Sequence, residues 1–201
     1  MKNSKNQDPL RGIANFLFEV GMLAETPRSF SSFLGSGSQS VAEHTNRTTF
    51  IGFVLAHMAK ANPDKVISMC LFHDITEARI SDLNYVHQKY NERHEKAALK
   101  DLTSSMPYGE SIEKIINEYK ERKTLESKLV KDADNLELLL TLREQSDAGN
   151  KRALTWIPPL IKRLTTKESK KLAGSIMKTD SDEWWYGDKQ DSWWVNRNDK
   201  K

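Results

Sequence analysis

Apolar residues recur every three or four positions along most of this chain, the period of α-helices that each bury one face. The first such stretch runs from Pro9 to about Ala24, with Asp8 placed to cap it and Pro9 at its first helical position. A long helix over about Ser40 to Ala61 sets Val41, His44, Thr48, Ile51, Leu55 and Met58 on one face. Asn62-Pro63 closes it and opens a shorter helix to about His73, where Val66, Cys70 and His73 share a row. Further helices are predicted over Glu92–Thr103, Tyr108–Arg122, Leu125–Ser146, Arg152–Leu164 and Lys167–Met177. Leu129, Ala133, Leu136 and Leu140 form one stripe of the Leu125–Ser146 helix. Glu25–Gln39, with Pro27, two glycines and five serines, and Ser81–Gln88 read as loops. No alternating run flanks a hairpin dipeptide, so the expected fold class is all-α: a compact helical bundle with additional C-terminal helices.

A length of 201 residues suits one domain, expected over residues 1–178. Residues 179–201 differ in composition, with four of the five tryptophans as the pairs Trp184-Trp185 and Trp193-Trp194. The first pair is expected to dock on the domain and the last eight residues to be poorly ordered. A formal charge of +3 argues against a dedicated binder of nucleic-acid polymers. Cys70 is the one cysteine, which excludes an intrachain disulfide. With no 18-residue apolar run and no apolar signal core in MKNSKNQDPL, the expectation is a cytoplasmic protein without a membrane partner.

Three positions carry polar groups where the pattern expects apolar ones. His44 sits at the centre of an apolar face; taken alone it reads as a core histidine with one ring nitrogen hydrogen-bonded. His73-Asp74 ends a buried helix, and Glu77 shares a face with His73 if that helix continues one turn. Lys131–Glu137 (KDADNLE) opens a leucine-rich helix; as a bland feature it is a solvated face with acidic residues near a helix N-terminus. Helical phase leaves Asp132 and Asp134 equivalent, while Glu137 lies on the apolar stripe and needs a partner. Two imidazoles and two carboxylates from three helices make a mixed nitrogen and oxygen set, suited to a divalent cation with open positions for water and a phosphate oxygen. His57, His87 and His94 read as surface or structural histidines and Cys70 as packing; Arg79, Arg47 and Lys131 read first as solvated charges, with contacts to the phosphate or behind the donors as the alternative.

The order His44 … His73-Asp74 … Asp134 resembles the HD-domain superfamily of metal-dependent phosphohydrolases, all-α proteins with an H…HD…D signature. SVAEHT (Ser40–Thr45), LFHDITEA (Leu71–Ala78), Asp82-Leu83 and LVKDADNLE (Leu129–Glu137) resemble the motifs of its small single-domain branch, which includes the 5′-deoxynucleotidases. Pro27-Arg28 is similar to an arginine site of that branch. These motifs span about Leu10 to Gly149, and the helices with Trp156 and Trp184-Trp185 resemble the C-terminal part of some microbial members. Where the branch often carries an aromatic after the arginine and Pro-Thr-Pro after Asp-Leu, this chain has Ser29-Phe30 and Asn84-Tyr85-Val86.

The resemblance implies that His44, His73, Asp74 and Asp134 hold one divalent ion, with Mn, Co, Fe, Ni, Zn and Mg not distinguished. It selects Asp134 over Asp132. It implies that Glu77 orients or deprotonates the attacking water, that Arg28 grips the substrate phosphate, and that Asp82 lies near the sugar or assists Glu77. The expected activity is hydrolysis of a phosphomonoester, foremost a (deoxy)nucleoside 5′-monophosphate, by a homodimer. Two alternatives stay open: a phosphodiesterase or polyphosphorylated-nucleotide hydrolase on the same fold, and a non-catalytic helical module pinned by a metal.

Overall fold

The computed structural model describes residues 8–195. Among these there is no strand, only one isolated antiparallel bridge between Pro27 and Ser40. The helices in chain order are α1 (Pro9–Glu25), α2 (Ser31–Leu34), α3 (Val41–Ala59), α4 (Pro63–Phe72), α5 (Glu77–Ile80), α6 (Tyr85–Tyr90) and α7 (Glu95–Thr103). They continue as α8 (Gly109–Glu121), α9 (Leu125–Asp147), α10 (Lys151–Ile161), α11 (Lys167–Ile176), α12 (Glu183–Tyr186) and α13 (Ser192–Val195). The fold is all-α, as the periodicity predicts. Local chemistry sets the helix starts. Asp8 accepts from the Leu10 amide ahead of Pro9, Asn62 from the Lys65 amide ahead of Pro63, and Thr124 from the Ser127 amide.

The axis of the bundle is α9, which packs against α3, α4, α8, α10 and α11. Its Leu129, Val130, Ala133, Leu136 and Leu142 are fully buried together with Leu55 of α3 and Val66 and Met69 of α4. Each of the leucine, valine and methionine side chains contributes roughly 1.5–3 kcal/mol by leaving water. A second cluster joins Phe16 and Leu23 of α1 to Leu99, Leu102, Ile112 and Ile116 of α7 and α8. The crossing of α3 and α4 is close because of Gly52: a Cβ there would stand 2.5 Å from Cys70 Sγ and 3.1 Å from Val66 Cγ1. Glycine at this point sets how near the helix of His44 comes to the helix that ends at His73.

Several expectations differ from what is observed. Ser81–Gln88 is not loop throughout, since α6 occupies Tyr85–Tyr90. Asn84 caps α6 by accepting from the Val86 and His87 amides, and none of its residues is buried, so no apolar period announced it. The loop after α1 contains the single turn α2. Met58 is 38 % exposed rather than in the core, because the buried stripe of α3 drifts to Gly52, Ala56 and Ala59 over its last turns. Trp184-Trp185 differs from the docked pair expected. Trp184 is 86 % exposed, and Trp185 packs on Tyr186 and Trp194 within the tail. The tail is tied to the bundle through polar contacts instead, Arg143 to Asp180 at 2.6 Å and the Ser181 amide to Asp147 at 3.0 Å. The expected disorder of the chain's end falls on residues 196–201, outside the described residues.

Gly52→Ala is expected to lower the unfolding free energy by about 1–3 kcal/mol in a urea titration, despite alanine's better helix propensity. Adding Cys70→Ala should restore part of that loss by vacating the sulfur that the new methyl meets. Simple additivity of the two losses would contradict the close crossing.

Candidate active site

Ser40 and Glu43 form a reciprocal capping box at the start of α3. The Ser40 hydroxyl accepts from the Glu43 amide at 3.2 Å, and the Glu43 carboxylate accepts from the Ser40 amide at 2.6 Å. This fixes where α3 begins, and therefore the direction in which His44, one turn in, projects. The preceding loop is clipped in place by Arg28 N donating to Gln39 O at 2.8 Å and Val41 N to Thr26 O at 2.8 Å.

His44 is fully buried, and its Nδ1 donates to Glu137 Oε2 at 2.7 Å. Glu137, on the apolar stripe of α9, is fully buried too, and its other oxygen accepts from Gln39 Nε2 at 2.6 Å and from Arg47 Nε at 2.9 Å. Burial opposes ionisation of Glu137, and the bonds from His44 and Arg47 outweigh it and hold its pKa low. His73, just past α4, donates from Nδ1 to the Cys70 carbonyl at 2.7 Å. Both imidazoles therefore carry their neutral-form proton on Nδ1 and turn Nε2 inward, where the two Nε2 atoms stand 3.3 Å apart. Asp134 Oδ1 lies 3.3 Å from His44 Nε2. Asp74 Oδ2 lies 3.2 Å from His73 Nε2 and 3.6 Å from His44 Nε2.

This donor set fits a divalent cation. Two lone pairs and two carboxylates aimed at one point repel each other unless positive charge lies between them. Donors around a cation with bonds of about 2.1 Å sit about 3–4 Å apart, and the donor atoms of His44, His73 and Asp134 all lie within 4.8 Å of one another. The electrostatics agree. Burial and Arg28 disfavour a charged His44, yet the bonds to Asp134 and Glu137 drive its pKa up to about 9. Asp134 and Asp74 are held below the usual carboxylate range despite burial, Asp134 by Lys131, His44 and His73, and Asp74 by His73, His44 and Arg28.

Beside the donors lies a cavity of ≈ 390 Å³ lined by Glu77, Arg28 and Asp82 among others. Burial pushes the Glu77 carboxyl up to about 9, with Asp74 and Asp82 adding to the shift and Arg28 and Arg93 opposing it. Its Oε2 is buried without a hydrogen-bond partner. Arg28 Nη1 reaches Asp82 at 3.3 Å, Asp74 at 3.5 Å and Glu77 at 4.0 Å. Asp82 also accepts from the Ser29 amide at 2.9 Å, which pins the Arg28 backbone over the cavity. Among the lining residues six cations (Arg28, Arg93, Lys120, Arg122, Lys131, Arg163) face five carboxylates, a balance that welcomes an anion.

All seven residues singled out from the sequence converge here. Asp132, which helical phase could not separate from Asp134, points elsewhere: it is buried and accepts from the Thr166 amide at 2.8 Å and the Ser169 hydroxyl at 2.7 Å, anchoring the start of α11. Arg47 and Lys131, read as solvated charges, instead pair with Glu137 and with Asp134, the latter at 2.6 Å, because both reach inward from helices flanking the site. Arg79 pairs with Glu19 on the surface and does not line the cavity. Sequence reasoning passed over Arg93, 3.4 Å from Glu77, and Tyr119, whose ring packs edge-on against His73 at 5.5 Å. It also passed over the S-x-x-E capping box at Ser40–Glu43, a signal legible without coordinates.

Residues 20–176 match the HD domain family. The 5′-deoxynucleotidase HDDC2 of Bos taurus is 29 % identical over 149 residues, 70 % of this chain and 71 % of that protein. A conserved hypothetical protein from Pyrococcus furiosus superposes with a TM-score of 0.69 at 29 % identity, covering 83 % of this chain and 99 % of that one. An HD-domain phosphohydrolase from Listeria innocua shares the fold with a TM-score of 0.62 at 18 % identity, covering 87 % and 93 %. With the family match spanning most of its length and the H…HD…D residues gathered at one point, the chain belongs to the HD-domain family.

Proposed function

We propose that this protein is a metal-dependent phosphohydrolase that cleaves the phosphomonoester of a nucleoside 5′-monophosphate, a deoxynucleotide foremost. The observation that carries the reading is the convergence of His44, His73, Asp74 and Asp134 next to a buried carboxylate oxygen of Glu77 that has no partner. The deoxynucleotidase names of its relatives support the substrate class. A divalent cation held by His44, His73, Asp74 and Asp134 would supply an acidified water and Lewis-acid polarisation of a phosphate oxygen.

The chain's own groups do the rest. Burial raises the affinity of Glu77 for a proton, and a cation at the donors would favour its ionised form, so that it takes a proton from the attacking water as the water oxygen bonds to phosphorus. The bond from phosphorus to the sugar oxygen breaks, and the same proton can return to that leaving oxygen. Arg28 faces the phosphate with a planar donor set, held in orientation by Asp82 and Asp74. Arg93 restrains Glu77 from the far side. A non-catalytic scaffold has no use for Glu77, because burying it costs stability.

The proposal extends to a homodimer in the cytoplasm. Phe50, Phe53 and Val54 give α3 an exposed apolar face that a second copy could cover, and a buried free thiol at Cys70 suits a reducing compartment. Among the described residues no helix is long and apolar enough to cross a membrane.

Glu77→Gln is expected to lower kcat for phosphate release from deoxynucleoside monophosphates by about a hundred- to ten-thousandfold, with metal content by elemental analysis unchanged. The same variant should stabilise the metal-free protein. Between the unfolded pKa near 4.5 and the folded value of about 9, folding must return a proton to Glu77. Its stabilising contribution is therefore complete below pH 4.5 and is lost as pH rises toward 9. The melting temperature of Glu77→Gln should exceed that of wild type at pH 8, and the gap should close toward pH 5. Asp134→Asn and chelation of the wild type should each abolish turnover, and only the chelated wild type should recover on adding a divalent ion. Full activity in a chelator would overturn the reading.

A further inference from the structure

The polar cavity beside the metal donors adjoins a second, apolar one of ≈ 460 Å³, and the two share Phe33, Tyr85, Leu138, Trp156 and Arg163 in their walls. Leu138 and Leu142 form part of its wall on α9, one and two turns beyond Asp134, about 6 and 12 Å along the helix axis. Trp156 of α10, half-buried, and Tyr85 of α6, 61 % exposed, both line the groove. Arg163 spans the junction, donating to the Tyr85 hydroxyl at 2.8 Å with its guanidinium 5.7 Å from the Tyr85 ring. We propose that this groove receives the base of the nucleotide, with Trp156 and Tyr85 as the faces on which it stacks. The inference rests on the phosphohydrolase reading and names the part of the substrate that reading leaves unplaced.

The observations favour this occupant over others. Arg28 and the metal donors fix the phosphate end, and the groove adjoins that cavity through five common wall residues. Its wall is apolar and aromatic, the surface a planar base prefers on its faces. A second protein copy seated there would lie on five residues that also line the catalytic cavity and would close its mouth. Tyr85 and Val86, both in the wall, stand where this chain departs from the Pro-Thr-Pro of the branch it resembles, so the groove is built partly from residues peculiar to this sequence. With few polar side chains in the wall to read base edges, selection follows stacking area, and the bases are expected to be accepted within a few-fold of one another.

The test compares deoxyadenosine monophosphate with 2-deoxyribose 5-phosphate, which lacks the base, and adds calorimetric titration of the metal-free protein with deoxyadenosine, which lacks the phosphate. Wild type should favour the nucleotide in kcat/KM. Trp156→Ala and Tyr85→Ala should each cut that preference by about tenfold and weaken deoxyadenosine binding, and Trp156→Phe should retain both. Tyr85 is exposed and outside both apolar clusters, so its variant tests the groove even if Trp156→Ala misfolds. An unchanged preference in Tyr85→Ala, with no deoxyadenosine binding by wild type, overturns the groove while leaving the hydrolase intact. Deoxyadenosine binding that weakens in Tyr85→Ala, in a protein that turns over no phosphomonoester, sinks the hydrolase reading and keeps the groove.

Discussion

Two imidazole Nε2 atoms held facing each other across 3.3 Å set the terms for everything around them. Neither ring can turn away. Glu137 takes the Nδ1 proton of His44 and the Cys70 carbonyl takes that of His73, so each tautomer is fixed from behind. Those two acceptors are themselves fixed, Glu137 by Arg47 and Gln39, and the carbonyl by the α4 backbone. The capping box at Ser40 and the glycine at the α3–α4 crossing then determine the separation of the rings. A chain of local choices thus ends in one spot where positive charge is wanted, with Lys131 and Arg28 reaching only its outer carboxylate oxygens.

The buried acids of this bundle fall into two kinds, and the difference separates structure from chemistry. Glu137 and Asp132 are fully satisfied, one by a histidine, an arginine and a glutamine, the other by the amides and hydroxyls that start α11. The desolvation of such groups is offset by bonds to every oxygen, and removing a partner would leave a buried charge unpaired. Glu77 is not satisfied: its nearest cations are 3.4 and 4.0 Å away, one oxygen has no partner, and two more carboxylates face it. An arrangement that raises a carboxyl so far is unfavourable for folding and useful for moving protons.

Much of this was legible in the sequence because the helices announce themselves by period and the motif residues by their breach of it. His44 and Glu137 stood out as polar groups on apolar stripes, and the structure pairs them with each other. The choice between Asp132 and Asp134 was not available from phase, since both flank the stripe of α9; only the packing of α11 against one side and of α4 against the other separates them. Arg47 and Lys131 were misread because long cationic side chains on a helix flank reach solvent or interior with equal ease, and the acid that decides lies about 90 residues away for Arg47. The wall formed by α6 escaped for a different reason. A helix with no buried residue has no period to read, and it matters through the cavities it borders rather than through its own packing.

The same balance ties the stability of the protein to its chemistry. An inward-facing set of two histidines and two aspartates, with Glu77 behind it, is strained by its own charge, and His44 answers by holding a proton up to about pH 9. A cation that displaced that proton would turn repulsion among the donors into bonds, and binding free energy at such a site counts as folding free energy. The apolar length of α9 is what allows the fold to wait for it. Its buried leucines hold α3, α4, α8 and α10 together independently of the donor cluster. The cost of burying Glu77 is thus set against apolar contacts that involve none of the donors.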